Sequence, residues 1–167
     1  MNLTIEKASI ENMDAIKNIL STTWKHTYSD FFYQETINKI THEWHNVEVL
    51  SRQIQNEKVI FKVGSIQNQL IGIGTAFEVE ENLIQLGRLY ILPEFQRKGF
   101  GERIFKALLV DVRERKCKSF LLHVEEKNQK AFNFYKKIGF HPIRTIQEDV
   151  FGFRINLIEM ELKIGDN

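Results

Sequence analysis

Residues 89–104 read Leu89-Tyr90-Ile91-Leu92-Pro93-Glu94-Phe95-Gln96-Arg97-Lys98-Gly99-Phe100-Gly101-Glu102-Arg103-Ile104. An extended apolar run ends at Pro93. Gly99 and Gly101 then open a helix whose one face carries Ile104, Phe105, Leu108, Leu109 and Val112, with charges opposite. A strand that runs through a glycine loop straight into a helix has the makings of an anion site. The first helical turn offers N–H groups without intrahelical acceptors and a partial positive charge. Glycines let the backbone come close to phosphate oxygens. Arg97 and Lys98 add positive charge. A Walker loop is absent, because no Lys and Ser or Thr follow a Gly after four spacers. A dinucleotide fingerprint fails at its third glycine, where Ile104 stands, and its βαβ surroundings are missing. Taken alone, the two glycines also suit a strand-to-helix turn that binds nothing.

Downstream, Phe120 to Val124 is a nearly continuous apolar strand of the kind buried on both faces. Ala131, Phe134, Tyr135 and Ile138 mark a helix that Gly139 ends as a C′ residue. Two strands close the chain. Their apolar phase moves from Phe151, Phe153, Ile155 and Leu157 to Ile158, Met160 and Leu162, which predicts a β-bulge near Leu157–Ile158.

Upstream, three strands are expected at Val59–Gly64, Leu70–Val79 and Leu83–Ile91, an antiparallel meander with turns at Gln67-Asn68 and Glu80-Glu81-Asn82. Leu3, Ile5 and Ala8 suggest a first strand, and Ser9 can cap the helix after it. That helix carries Met13, Ile16, Ile19, Leu20 and Trp24. The aromatic stretch from Thr27 to Tyr33 breaks its period. A second amphipathic helix is expected within residues 34–54, in one piece or two. The order βααβββαβαββ predicts an α+β domain over residues 1–167, a mixed, mostly antiparallel twisted sheet flanked by helices.

With these elements in place, two motifs can be compared with known families. Gln96-Arg97-Lys98-Gly99-Phe100-Gly101 resembles the Gln/Arg-x-x-Gly-x-Gly/Ala signature of the GNAT superfamily of acyl-CoA-dependent N-acyltransferases. Asn128, Ala131, Phe134, Tyr135, Lys137, Gly139 and Phe140 are similar to its second motif. One helix and one strand separate the two, as in that family. The resemblance covers Leu70 to Phe140, and the element order extends it over the chain.

The resemblance implies the GNAT fold and acetyl-CoA as co-substrate, with no metal. It implies that the main chain of Leu89, Tyr90 and Ile91 pairs with the pantetheine amides as a neighbouring strand would. Gln96, Arg97, Lys98, Gly99, Phe100, Gly101 and Glu102 correspond to the pyrophosphate cradle, Asn128 and Lys137 to coenzyme A contacts, and Tyr135 to the general acid. The chemistry suits these groups. An amine attacks the thioester carbonyl, backbone N–H groups near Leu89–Ile91 stabilise the oxyanion, and a phenol protonates the departing thiolate. The base does not carry over. Some members place a Glu where this chain has Gln85, which cannot accept the proton. Glu78, Glu80, Glu81, Glu125 and Glu126 are nearby carboxylates, and a water relay is the alternative.

Trp24 and Tyr28, followed by Phe31 and Phe32, fall in the segment that folds over the acceptor site in this superfamily. Their spacing resembles bacterial polyamine acetyltransferases, and aromatic faces suit a cationic amine. Core packing of the first helix would explain the same residues. The expected acceptor is a small-molecule primary amine, a polyamine or an amino-acid derivative. A protein N-terminus, a lysine side chain, or a catalytically idle acyl-CoA-binding module are the alternatives.

Lys plus Arg number 23 against 22 Asp plus Glu, a net charge of +1, so no global field favours nucleic acid or an anionic membrane. No apolar run approaches the ~20 residues of a membrane span, and Met1 to Glu11 does not read as a signal peptide. A cytoplasmic protein is the expectation. The single cysteine, Cys117, sits between Lys116 and Lys118, neighbours that could lower its pKa. His42 and His45 lack a third metal ligand in the sequence. The late apolar strands would serve a homodimer or a monomer's core.

Overall fold

The structure is a computed structural model that describes residues 2–165. In chain order the elements are β1 (Thr4–Lys7), α1 (Met13–Tyr28), α2 (Gln34–Trp44), α3 (Val47–Gln55), β2 (Val59–Ile66), β3 (Gln69–Glu80), β4 (Leu83–Ile91), α4 (Phe100–Glu114), β5 (Ser119–Glu125), α5 (Gln129–Lys137), β6 (His141–Val150) and β7 (Phe153–Lys163). Short 3-10 turns lie at Ile10–Asn12 and Pro93–Phe95. The strands form a seven-stranded, mostly antiparallel sheet, the α+β arrangement expected from the sequence. The chain divides into two compact units, Met1–Ala76 with Gly87–Asp111, and Phe77–Leu86 with Val112–Asn167.

In the first unit the strands run β1-β2-β3-β4. β1 is antiparallel to β2, from Thr4 opposite Ser65 to Lys7 opposite Lys62. Gln67 and Asn68 both take positive φ, 50° and 64°, the backbone of a tight two-residue hairpin turn. The periodic apolar face of α1 is buried as its spacing predicts: Met13, Ile16, Ile19, Leu20 and Trp24. The expected capping by Ser9 occurs one element early. Its N–H reaches Asn12 Oδ1 at 2.8 Å and closes the 3-10 turn before α1. The second amphipathic stretch is two helices, because Asn46 interrupts it and accepts the Val49 N–H at 2.9 Å as the N-cap of α3.

Two apolar clusters fill this unit. Met13, Ile16, Ile19 and Leu20 of α1 pack with Leu50 and Ile54 of α3 and with Phe61, Val63 and Ile73 of the sheet. Leu3, Ile66, Ile71 and Ile91 pack with Phe100 and Ile104 of α4. The α4 helix approaches the sheet closely over glycine. A Cβ on Gly64 would lie 2.8 Å from Ile104 Cδ1, and one on Gly74 2.8 Å from Ile104 Cγ2; one on Gly72 would lie 2.4 Å from Ile91 Cδ1 and 2.9 Å from the Tyr90 carbonyl oxygen, at the end of β4. Any side chain on Gly72 would push on that strand end.

In the second unit the order is β3-β4-β5-β7-β6. β5 runs parallel to β4 from Leu83 opposite Ser119 to Gln85 opposite Leu121. It runs antiparallel to β7 along its whole length. Phe120, Leu122 and Val124 of β5 are buried, whereas Leu121 and His123 are half-buried, so one face is less enclosed than the apolar run suggested.

The predicted bulge lies elsewhere. β7 pairs without interruption, and the register break falls in β6 between Pro142 and Arg144. The apolar phase of β7 changes because one of its faces becomes a charged ladder, not because its backbone slips. Glu159 accepts from His123 Nε2 at 2.8 Å and Arg144 Nε at 2.9 Å. Glu161 accepts from Ser119 Oγ at 2.6 Å and Lys163 Nζ at 2.7 Å. Burial alone would raise the Glu159 carboxyl, but the hydrogen bonds from His123 and Arg144 outweigh it and hold the group below the usual range.

Candidate active site

The loop between β4 and α4 is held by its own side chains. Gln96 Nε2 donates to the Ile91 carbonyl at 2.9 Å and ties the loop to the strand end. Lys98 Nζ donates to the Glu94 carbonyl at 2.8 Å and lies 5.4 Å from the centre of the Phe95 ring. Arg97 and Gly99 take φ of 59° and 81° on either side of Lys98. Alternation of this kind is how backbone N–H groups are made to converge on an anion. A left-handed conformation at a non-glycine residue costs about 1 kcal/mol or more, so Arg97 is held there by its surroundings. A Cβ on Gly99 would meet no protein atom within 4 Å, so the space beside it is open. Phe100 is buried with Ile104, and Glu102 pairs with Lys106 at 2.8 Å. Phe100 therefore offers a ligand its main chain, not its ring.

The end of β4 distributes its side chains by strand alternation. Leu89 and Ile91 pack with Phe100 and Ile104, while Tyr90 packs against the cluster of α1 and α3. Their side chains are committed to packing, and the main chain is what this triplet can present.

The aromatic residues of α1 form one stack. Trp24 and Tyr28, one turn apart, have ring centres 4.4 Å apart. Trp24 also meets Trp44 at 6.3 Å and His45 at 5.6 Å. Tyr28 meets Phe31 and Phe32. Trp24 is only 8% exposed and belongs to the core, while Tyr28 is half-buried. The Trp24 indole N–H acts electrostatically on the Tyr90 oxygen, yet it closes no hydrogen bond of normal geometry.

Two residues of this region stood out little in the sequence. Arg88, two residues before Tyr90 on the same face of β4, donates to Gln53 Oε1 at 2.7 Å and to the Trp44 carbonyl at 3.2 Å. His45 is 4% exposed, and its Nδ1 has no partner. Burial, and then the Arg88 guanidinium, lower its pKa from 6.5 to about 3. An unfolded chain takes up that proton near pH 6.5, whereas the folded chain resists it until about pH 3. His45 therefore costs no stability above pH 6.5 and destabilises progressively below it, by at most about 1.4 kcal/mol per pH unit. Urea midpoints measured from pH 7.5 to 4.5 are expected to fall with pH, and His45→Gln should flatten that fall. An equal slope in both proteins would remove His45 as its source.

In the second unit, Asn128 is the N-cap of α5, and its Oδ1 accepts the Ala131 N–H at 3.2 Å. Tyr135 is half-buried, its ring centre 5.4 Å from Phe134 and 5.9 Å from Phe140. Lys137 is exposed in the last turn, and Gly139 follows with φ 107°, as a C′ glycine should. Glu125 is buried and accepts the Lys127 N–H at 2.8 Å, and its pKa is raised, chiefly by burial. Glu126 accepts from Asn156 at 3.0 Å, while Glu78, Glu80 and Glu81 are exposed. Cys117 departs from expectation. Burial and then Glu78 raise its pKa, more than Arg115 lowers it, and the flanking lysines do not activate the thiol. Among the described residues no group of three or more His, Cys, Asp or Glu is arranged to hold a metal ion, and no helix is long and apolar enough to cross a membrane.

Comparison with known proteins adds to this geometry. The family described as acetyltransferase (GNAT) matches residues 13–140. Spermidine N(1)-acetyltransferase of Thermoplasma acidophilum is 27% identical over 144 residues, 84% of this chain and 89% of that protein. Thialysine N-epsilon-acetyltransferase of Mus musculus is 31% identical over 71 residues, 42% of this chain and 41% of its own. The crystal structure of PaiA N-acetyltransferase from Thermoplasma acidophilum in complex with coenzyme A superposes with a TM-score of 0.85 at 27% identity, covering 98% of this chain and 100% of that one.

Proposed function

The chain belongs to the acetyltransferase (GNAT) family and is an N-acetyltransferase that uses acetyl-CoA; we propose that its acceptor is the primary amine of a small molecule, a polyamine or an amino-acid derivative, acetylated by direct attack in a ternary complex. The observation that carries the cofactor assignment is the loop at 96–101. Arg97 and Gly99 hold left-handed backbone, open space lies beside Gly99, and α4 begins there, at a helix end whose leading N–H groups have no acceptor within the helix. That arrangement fits a diphosphate.

When bound, acetyl-CoA supplies an activated thioester. In the proposed reaction, main-chain N–H groups near Leu89–Ile91 stabilise the oxyanion that forms when the amine attacks the carbonyl carbon. The Tyr135 phenol donates its proton to the departing sulfur, a role open to phenols because they ordinarily keep the proton until about pH 10. Gln85 cannot act as a base, so the proton released by the amine passes to water. Asn128 and Lys137 contribute contacts to the carrier. Tyr28, backed by the buried Trp24, offers an aromatic face to the acceptor, consistent with relatives named for spermidine and thialysine.

The test is release of coenzyme A from acetyl-CoA, read with a thiol reagent, together with mass spectrometry of the acceptor. Spermidine, L-lysine and short peptides form the panel. Acetylation of a small amine is the expected result. Acetyl-CoA binding without turnover would identify a binding module instead, and turnover of peptides alone would overturn the small-molecule reading.

A further inference from the structure

Arg88 stands immediately before the triplet Leu89–Ile91 and on the strand face shared with Tyr90. Both of its hydrogen-bond acceptors are neutral, the Gln53 side chain and the Trp44 carbonyl. A guanidinium has five N–H donors, so most remain available. Among the described residues no carboxylate pairs with it. Its neighbours supply no negative charge either. Burial raises the Tyr90 phenol and lowers the His45 imidazole, leaving both neutral near pH 7. The buried Trp24 Nε1, a group that can only donate, acts on the Tyr90 oxygen without closing a hydrogen bond of normal geometry. The aromatic face of α1 thus adjoins a cluster that holds one cation and no anion. A partly desolvated cation with neutral acceptors alone is costly, and a ligand that brings an anion would relieve it.

We propose that Arg88 receives a carboxylate of the acceptor, so that the preferred acceptor is an amino-acid-like amine and not a polyamine. This rests on the reading of the chain as a small-amine acetyltransferase and selects between its two substrate classes. A planar guanidinium pairs with a carboxylate through parallel N–H bonds. The same charge repels the second ammonium of a polyamine.

The test compares acids with amides of the same size: L-lysine with L-lysinamide, and 5-aminopentanoate with 5-aminopentanamide. For the wild-type protein, kcat/KM should favour the acid by about tenfold or more, mostly through KM, as expected of a charge-assisted hydrogen bond. Arg88→Gln should bring that ratio to near one. Arg88→Lys should restore part of it, since it keeps the charge but not the fork. Calorimetric titration of the same pairs into protein loaded with coenzyme A reads the preference without turnover. A wild-type protein that binds amide and acid equally, or prefers spermidine to both acids, would overturn the proposal. So would an Arg88→Gln variant that weakens acetyl-CoA binding and leaves the ratio intact, because Arg88 would then serve the carrier. A calorimetric preference for acids without acetylation would leave the Arg88 assignment standing and remove the N-acetyl transfer. Circular dichroism shows whether the variant is folded, and if it is not, the wild-type acid-to-amide ratio decides.

Discussion

Replacing Tyr135 with Phe is expected to lower kcat by about a hundredfold or more, the usual scale of lost acid catalysis, with little change in acetyl-CoA affinity. The substitution removes one oxygen and keeps the ring. Tyr135 packs edge-on against Phe134 and Phe140, contacts that phenylalanine preserves, so α5 and its junction with β6 should hold. The loss should appear in kcat and kcat/KM together, because a proton donor acts mainly in the transition state. Raising the pH would not rescue the variant. An amine acceptor becomes more reactive as it deprotonates, but the sulfur still lacks its donor. Steady-state kinetics with equilibrium titration of acetyl-CoA tests this directly, and unchanged turnover would take Tyr135 out of the mechanism.

Gly99→Val should weaken acetyl-CoA binding by about ten- to a hundredfold, the cost of forcing a β-branched residue into a left-handed backbone that must also present its N–H groups to a diphosphate. Gly152→Val is the matched control. Gly152 has φ 84°, close to the 81° of Gly99, and a Cβ at either position meets no protein atom within 4 Å. Both substitutions therefore carry similar strain, about 1–3 kcal/mol of stability. Gly152 lies in the turn between β6 and β7, where its N–H is taken by Asp149 Oδ1 at 2.8 Å. Thermal melts of the two variants should shift alike, while only Gly99→Val should lose carrier affinity. Equal affinity in both would show that the loop does not hold the diphosphate.

Much of the fold is legible because its signals are local. The apolar spacing of α1, the tight turn at Gln67-Asn68 and the Gly139 terminus of α5 depend on residues within one turn of each other, and each stands where the sequence puts it. The division of residues 34–55 into α2 and α3 hinges on Asn46 as a cap, which periodicity alone does not resolve. The register break lies in β6 and not at the phase change of β7, for a longer-range reason. An apolar phase change looks the same whether the backbone slips or a face turns charged. Only the partners of Glu159 and Glu161 on β5 and β6 distinguish the two.

The candidate site divides in the same way. The order of residues alone determined the glycine loop running into α4 and the two ends of α5, because backbone conformation and helix termini are set by near neighbours, and the resemblance of these motifs to a known family pointed to acetyl transfer. Tertiary structure decided the character of the region around Trp24. Arg88 reads in the sequence as one charged residue among many, and His45 as one scattered histidine. Their meaning comes from Gln53, Trp44, Trp24 and Tyr90, brought from α1, α2, α3 and β4 to one place. Desolvation and charge pairing depend on what surrounds a group in space, and chain order does not record that.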